Sequence, residues 1–398
     1  MKLKKIVLRN FRNYEFQQID FSDKFNYIFG ENGSGKTNIL EAVSLIAFGK
    51  SFLSSPEIDC LKFGQDDFSV EGEFISKLDT VFNVGLQYNR NFKKKNFFLN
   101  KDKVSGFSSE LFGKFPTVFM SPHSLNITYG NPSERRRFFD IIISQVSGLY
   151  LDDMRVLNRL LKLKNALLKN FYEAGSPSSG NIKEMMEVYN VKLAAVSADI
   201  TFRRLNFLKD FIVFFKENFR ELIQGDDEPE IEYSSCLEPD ENLLNENETD
   251  KETLRIGYMK KLNNIYSDEL RRGISLAGPH RDDFVFKIKK ADSAQPFNIK
   301  NFASQGEHKT YMVGLKLAEY NYIRSKLDVN PIMLLDDILS ELDSSRVESI
   351  MSHLNEFGQI FLTTTQDDYA KRLGTFFTDK NIKLFKVENS SVKTFETI

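Results

Sequence analysis

The sequence has no tryptophan, only two cysteines, four histidines and ten prolines in 398 residues. Cys60 and Cys236 lie far apart. Two such thiols exclude a disulfide framework and a cysteine-based zinc site, and they suit a reducing cytosol. His123, His280, His308 and His353 show no metal-ligand spacing. No apolar run approaches the roughly 18 residues of a membrane helix. The basic start, MKLKKIVLRNFRNYEF, offers only Ile6-Val7-Leu8 as an apolar run, too short for a signal peptide. The expectation is a cytoplasmic protein with no membrane partner.

What the chain has in excess is phenylalanine, 37 against 14 tyrosines. Phe is expected to fill core positions that other proteins give to Leu or Trp. Hydrophobic residues make up 41% and charged residues 28%, an ordinary globular mix. The length allows two domains, possibly three, and a large core without staples. The net charge of −2 conceals an uneven distribution. Asp226 to Glu252 holds twelve acids against one base, Lys251, so the rest of the chain is net positive. That remainder permits a nucleic-acid partner without showing one.

Pattern divides the chain in three. In residues 1–130, KLKKIVLRNF and FNYIFG read as strands, TNILEAVSLIAFGK as a helix, and short alternating runs between Phe68 and Val104 as a small antiparallel sheet. Residues 131–272 read as a helical lobe. A helix starts at Asn131-Pro132 and runs to about Asn170; after EAGSPSSGN a second runs from about Ile182 to Ile223. Together they form a hairpin with arms of about 60 Å at most. The acidic insert 226–252 follows, then a helix from Glu252 to Arg272. In residues 273–398 strand texture returns at DFVFKIKK, PIMLLDD and QIFLTTT, with a terminal hairpin. The fold class is α/β, a mixed sheet interrupted by a helical lobe.

Three motifs carry chemistry. Gly30-Glu31-Asn32-Gly33-Ser34-Gly35-Lys36-Thr37 fits the phosphate-binding loop, between a strand and a helix. Its backbone N–H groups and the helix N-terminus cradle phosphates, Lys36 reaches the β/γ-phosphates, and the Thr37 hydroxyl ligates Mg²⁺. The apolar run before Asp336-Asp337 brings two carboxylates to a buried strand end, one for Mg²⁺ and one to position the attacking water. Ser304-Gln305-Gly306 opens a further helix and forms a smaller anion site or merely a helix cap.

The order of these motifs, followed by Ser340-Glu341-Leu342-Asp343 and an apolar strand ending in Thr, resembles the ABC-type ATPase heads. The resemblance is to the SMC-like branch, in which a helical insertion splits the head. LRNFRNYEF, FGENGSGKTNILEAVSLIAFGKSF, VFMSPHSLNITYGNPSERRRFFD, LAGPHRDDF, SQGEHKTYMVGLKLAEY and LLDDILSELD resemble the RecF family within that branch. The resemblance implies a DNA-repair ATPase that binds ATP and Mg²⁺ and clamps DNA as an ATP-dependent homodimer. It implies partnership with RecR, and with RecO and RecA, in loading recombinase at single-strand gaps or duplex junctions, in support of replication and the SOS response. It assigns Lys36 and Thr37 to the nucleotide, Asp336 to the metal and Asp337 to catalysis. Ser304 to Gly306 become the signature acting on the partner's nucleotide, Asp343 the dimer loop, and Arg12 a basic residue near the nucleotide. Thr364 or Thr365 falls where transporters carry a switch His.

The sequence departs from the wider pattern in places. Most such heads carry Glu where Asp337 stands; the shorter Asp fits slow turnover, and the resemblance implies a weak, DNA-stimulated ATPase used as a switch. His308-Lys309 replaces an expected Gln-Arg, losing the bidentate contacts of Arg. Lys93, Lys94 and Lys95, with Lys101 and Lys103, are candidate DNA-backbone contacts or a solvated loop; separately Arg135, Arg136 and Arg137 are candidate DNA-backbone contacts, a solvated face or an internal salt bridge. Arg155, Arg159, Lys162 and Lys164 put charge on one arm. Gly278 to Asp283 is expected to couple lobe motion to nucleotide state or to serve as a plain hinge. A transporter subunit is the poorer reading because its signature normally follows the loop far sooner. A nuclease lacks a second acidic cluster, and a non-hydrolysing scaffold would tolerate Asp337→Asn.

Overall fold

A computed structural model of the chain describes residues 1–53, 55–174, 179–223, 225–237, 250–338, 356–365 and 382–395. The chain divides into two units. Residues 1–125, 221–224 and 309–398 form the first, and 126–220 with 225–308 the second.

In the first unit, Lys2–Phe11 (β1) alternates, with Leu3, Ile6, Leu8 and Phe11 buried. Leu3 and Ile6 share a face although three apart because a bulge shifts the register between Leu3 and Lys5. Tyr14–Asp20 (β2) pairs antiparallel with β1. The antiparallel run expected from Phe68 forms as Asp67–Ile75 (β4), Val81–Asn89 (β5), Lys94–Leu99 (β6) and Asp102–Lys103 (β7). It is continuous with the N-terminal hairpin, because β4 pairs along β1; the order is β2-β1-β4-β5-β6-β7.

The second sheet holds Phe25–Phe29 (β3), Thr117–Met120 (β8), Ile332–Asp336 (β12), Ile360–Thr364 (β13), Ile382–Glu388 (β14) and Ser391–Phe395 (β15), in the order β15-β14-β3-β13-β12-β8. All are parallel except β15, which closes the terminal hairpin. β12 and β13 are buried at every position, as parallel strands covered on both faces must be. The helix Lys36–Phe48 (α1) contributes Ile39, Leu40, Val43 and Ile46 to a core that runs from one sheet to the other. Phenylalanine does fill it: Phe21 sits edge-on to Phe361 and Phe385, and Phe74 stacks on Phe115 at 4.2 Å. A short helix, Phe107–Glu110 (α2), flanks this core.

The second unit contains Asn126–Tyr129 (α3), Pro132–Val146 (α4), Gly148–Ala174 (α5), Ser179–Leu222 (α6), Lys251–Asn264 (α7), Tyr266–Arg272 (α8) and Ile299–Phe302 (α9). The helix expected as one piece from Asn131 breaks at Ser147, which is extended (φ −139°). Its hydroxyl accepts from Tyr150 N–H at 3.3 Å and so caps the next helix. α5 and α6 run antiparallel, tied by Arg203 to Asp153 and by Lys164 to Asn190. Their 27 and 44 residues span about 40 and 66 Å at 1.5 Å per residue.

A small sheet, β11-β10-β9, is made of Glu228–Ser234 (β9), Asp283–Lys289 (β10) and Phe297–Asn298 (β11). β10 pairs with β9 along its whole length. That pairing explains why 273–308 falls with the helical unit rather than with the returning head, as the sequence had suggested. The opening of the acidic insert is therefore a strand, with Glu228 held by Lys216 and Arg220 and Glu232 by Lys287. Asp250 N-caps α7 by accepting from Thr253 N–H at 2.7 Å. Residues 238–249 lie outside the described residues. Gln305–Leu327 (α10) begins in the second unit and ends in the first. Among the described residues, no helix is long and apolar enough to cross a membrane.

Candidate nucleotide-binding site

β3, β13 and β12 are parallel neighbours, so their C-terminal ends open on one edge. The loop 30–35 leaves the end of β3, and Asp336 ends β12 in register with Thr363 of β13. That geometry brings residues from opposite ends of the sequence together. Thr37 Oγ1 donates to Asp336 Oδ1 at 2.9 Å, and Thr363 Oγ1 donates to the same oxygen at 2.7 Å. Lys36 Nζ donates to Gly30 O at 2.9 Å and Glu31 O at 2.8 Å, two neutral carbonyls it can leave for a phosphate.

Burial pushes the Asp336 carboxyl up, against the two hydroxyl donors that favour its ionised form. Burial likewise lowers the Lys36 amine, partly countered by Asp337 and Asp336. Ser34 Oγ is buried and has no hydrogen-bond partner among the described residues. A hydroxyl beside a buried carboxylate, a lysine on the loop and a buried hydroxyl with no partner form a donor set that fits a polyphosphate with its divalent cation.

Asp337 follows at φ +46°, an uncommon backbone conformation for a residue other than glycine. Its N–H donates to Thr363 O at 3.2 Å and to Thr363 Oγ1 at 3.0 Å. Thr363 thus orients both acids. The sequence marked Thr364 or Thr365 for another role, the place of a transporter's switch His, and did not mark Thr363; the signal for Thr363 is its register opposite Asp336.

Two further residues escaped the sequence reading, although FRNYEF was in view. Asn13 Nδ2 donates to Ser34 O at 2.9 Å while its Oδ1 accepts from Asn38 at 2.8 Å. Tyr14 OH donates to Gly35 O at 3.1 Å. Gly35 has φ +116°, and a Cβ there would lie 2.5 Å from Asn13 Nδ2, so only glycine lets this turn close on the loop. Asn13→Ala is expected to weaken ATP binding about tenfold by freeing the loop. Titration with a fluorescent ATP analogue checks it, and unchanged affinity would remove Asn13 from the site.

Arg12, expected near the nucleotide, is engaged within the head. Its guanidinium grips the fully buried Glu41 of α1 through Nε and Nη2, both at 2.7 Å, and reaches Asp59 O at 2.8 Å. Arg12 thus clamps the helix that follows the loop, one residue before Asn13, which meets the loop at Ser34.

Ser304, Gln305 and Gly306 open α10. Ser304 and Glu307 form a reciprocal cap: Ser304 N–H to Glu307 Oε2 at 2.7 Å, and Glu307 N–H to Ser304 Oγ at 3.3 Å. His308, in place of the expected Gln, stacks on Tyr129 with ring centroids 3.7 Å apart and is buried. Asp343 lies outside the described residues.

The basic clusters divide. Arg135 is buried, with Nε and Nη2 each 2.8 Å from an oxygen of Asp283; Arg136 Nη1 donates to Asp282 O at 2.6 Å. Buried Arg135 makes the internal salt bridge that the sequence left open beside DNA contact, half-buried Arg136 is tied to the same segment, and the acid partner explains a cation in a first helical turn. Arg137 is exposed. Lys95 is held by Glu57 and by Gly49 O at 2.9 Å, so it too is internal. Lys93, Lys94, Lys101 and Lys103 remain exposed along the β6–β7 edge. On the arm, Lys164 is fully buried against Glu269 at 2.7 Å, and Arg155 pairs with Asp152.

A phosphate loop between a parallel strand and its helix, an acidic strand end two strands away and an inserted helical unit define an ATPase head of the SMC type. The sequence profile of the RecF/RecN/SMC N terminal domain family matches residues 2–393. The chain belongs to the RecF family. A DNA replication and repair protein RecF from Chloroherpeton thalassium is 37% identical over 374 residues, covering 93% of this chain and 97% of that protein. Its counterpart from Macrococcus caseolyticus is 33% identical over 395 residues, covering 99% and 100%. A solved structure of the recombination mediator protein RecF with ATP, in the RecFOR pathway, matches with a TM-score of 0.86 at 28% identity, covering 99% of this chain and 97% of that one. An SMC head bound to the C-winged helix domain of ScpA shares the fold, with a TM-score of 0.53 at 16% identity over 99% of this chain and 97% of that one.

Proposed function

We propose that the chain is a cytoplasmic DNA-repair ATPase whose ATP-bound homodimer clamps DNA and whose hydrolysis releases it. The observation that carries this is the Thr37–Asp336 contact, which joins the phosphate loop to the acidic strand end. Backbone N–H groups of 30–35 and Lys36 bind the phosphates; Thr37 and Asp336 hold the cation. Bound Mg²⁺ would neutralise charge on the phosphate oxygens. Asp337, fixed by Thr363, accepts the proton of the attacking water. Ser304 to Gly306 of one copy close on the γ-phosphate held by the other. Asp343 lies in the loop that crosses between copies.

On the head the DNA contacts are Lys93 and Lys94, with Lys101 and Lys103 beside them; on the helical unit the candidate is Arg137. RecR is the expected partner, with RecO and RecA, at gaps and duplex junctions. Anisotropy with labelled gapped DNA tests the reading: binding should tighten with ATP–Mg²⁺ and not with ADP. Binding indifferent to nucleotide would overturn the clamp. The double reversal Lys93→Glu and Lys94→Glu should weaken DNA binding and flatten the slope of log K against log salt by about one per lysine. An unchanged slope would place DNA elsewhere.

A further inference from the structure

The start of α10 already holds a negative charge. The Glu307 carboxylate takes Ser304 N–H, one of the donors an arriving phosphate would otherwise meet. Ser304 Oγ accepts from Glu307 N–H, so the hydroxyl keeps its own proton to donate. Glu307 does not carry this charge alone. Its Oε1 lies 2.5 Å from Lys290 Nζ, just beyond the end of β10. The same Nζ lies 2.8 Å from Asp227 Oδ2, at the opening of the acidic insert, and Asp227 Oδ1 accepts from Ala291 N–H at 3.3 Å. One cation therefore serves two carboxylates. Burial works to raise Glu307, but Lys290 and the Ser304 donors outweigh it and bring its pKa to about 2, so it is ionised at neutral pH.

Two anions at one helix start repel. A phosphate approaching Ser304 meets Glu307, and the cost falls with the share of Lys290 that Glu307 commands. We propose that Lys290 sets the affinity of the signature for the phosphate presented by a second copy, and that Asp227 restrains it by drawing on the same cation. Lys290 is a positioning residue, acting through Glu307. This rests on the reading of Ser304 to Gly306 as a signature acting between copies.

The test measures dimer dissociation constants of the full chain with ATP–Mg²⁺ by mass photometry, and nucleotide affinity of the dilute monomer with a fluorescent ATP analogue. Lys290→Met should weaken dimerisation about tenfold or more and leave monomer affinity unchanged. Lys290→Arg should retain dimerisation. Glu307→Gln, which still caps the helix, should restore most of it in the Lys290→Met background. Asp227→Asn should shift it the other way, toward tighter dimers. A purely structural lysine would give a loss that Glu307→Gln does not restore and an Asp227→Asn variant weaker than wild type, and either overturns the proposal. Wild-type dimerisation in every variant overturns it while leaving the clamp intact. A wild-type chain that stays monomeric with ATP–Mg²⁺ overturns the signature reading and this proposal with it.

Discussion

Replacing Arg204 with methionine is expected to destabilise the helical unit by roughly 3–5 kcal/mol, the cost of removing one partner from a buried charge pair. Arg204 is among the largest fully buried side chains. Its guanidinium meets Asp140 Oδ1 at 2.8 Å, Tyr150 OH at 2.9 Å, Tyr233 OH at 3.3 Å and Pro279 O at 2.8 Å. Tyr233 OH donates on to Asp282, which also accepts Cys236 N–H at 2.9 Å. Methionine fills much of the volume but removes the cation bonded to Asp140 and the charge that favours ionised Asp282 from beyond Tyr233. Hydrogen exchange of α6 and β9 reads the loss locally, because a two-unit chain need not unfold in one step.

A pH dependence follows. Burial already raises the Asp282 carboxyl above its ordinary value, with Arg204 opposing. Without Arg204 it rises further, so the folded unit prefers the neutral acid more strongly. The methionine deficit should therefore be smallest near the ordinary carboxylate pKa and grow as pH climbs through the raised one. A loss under about 1 kcal/mol, flat with pH, would mean that the network contributes little.

This network shows what the sequence concealed. Gly278 to Asp283 was legible as something special, a hinge or a coupler. The structure makes Pro279 O an acceptor for Arg204, Asp282 a buried acceptor for β9 and Asp283 the partner of Arg135. None of those partners lies nearby in sequence. Lys95 looked like surface charge, and the Arg135 run stayed open between DNA contact, a solvated face and an internal salt bridge, because a run of basic residues says nothing of which member turns inward. The phosphate loop and Asp336 were legible because local chemistry fixes them: glycine spacing in one, an apolar run ending in acid in the other. Thr363 and Asn13 were not, since their roles come from strand register and a turn closing on a loop. The helix break at Ser147 was missed because periodicity persists across it while a single side-chain cap divides it.

The head's chemistry is tested most sharply at Asp337. Asp337→Asn is expected to leave ATP binding intact and reduce hydrolysis by about 10²-fold or more, the usual contribution of a positioned base. Asparagine suits the test for two structural reasons. It tolerates a positive φ as aspartate does, so the +46° backbone is not further strained. The contacts that fix this residue to Thr363 come from its backbone N–H, which the substitution keeps. Lost turnover with unchanged nucleotide affinity would therefore report the missing carboxylate and not a displaced strand end. Asp336→Asn should behave differently. It removes the charge that meets the Thr37 and Thr363 hydroxyls, so cation-dependent nucleotide affinity should fall as well as turnover. Single-turnover hydrolysis beside equilibrium titration separates the two. Turnover of Asp337→Asn within about threefold of wild type would exclude Asp337 as the base. Equal loss of affinity in both variants would mean that the two acids act together on the cation, with the water positioned by another group.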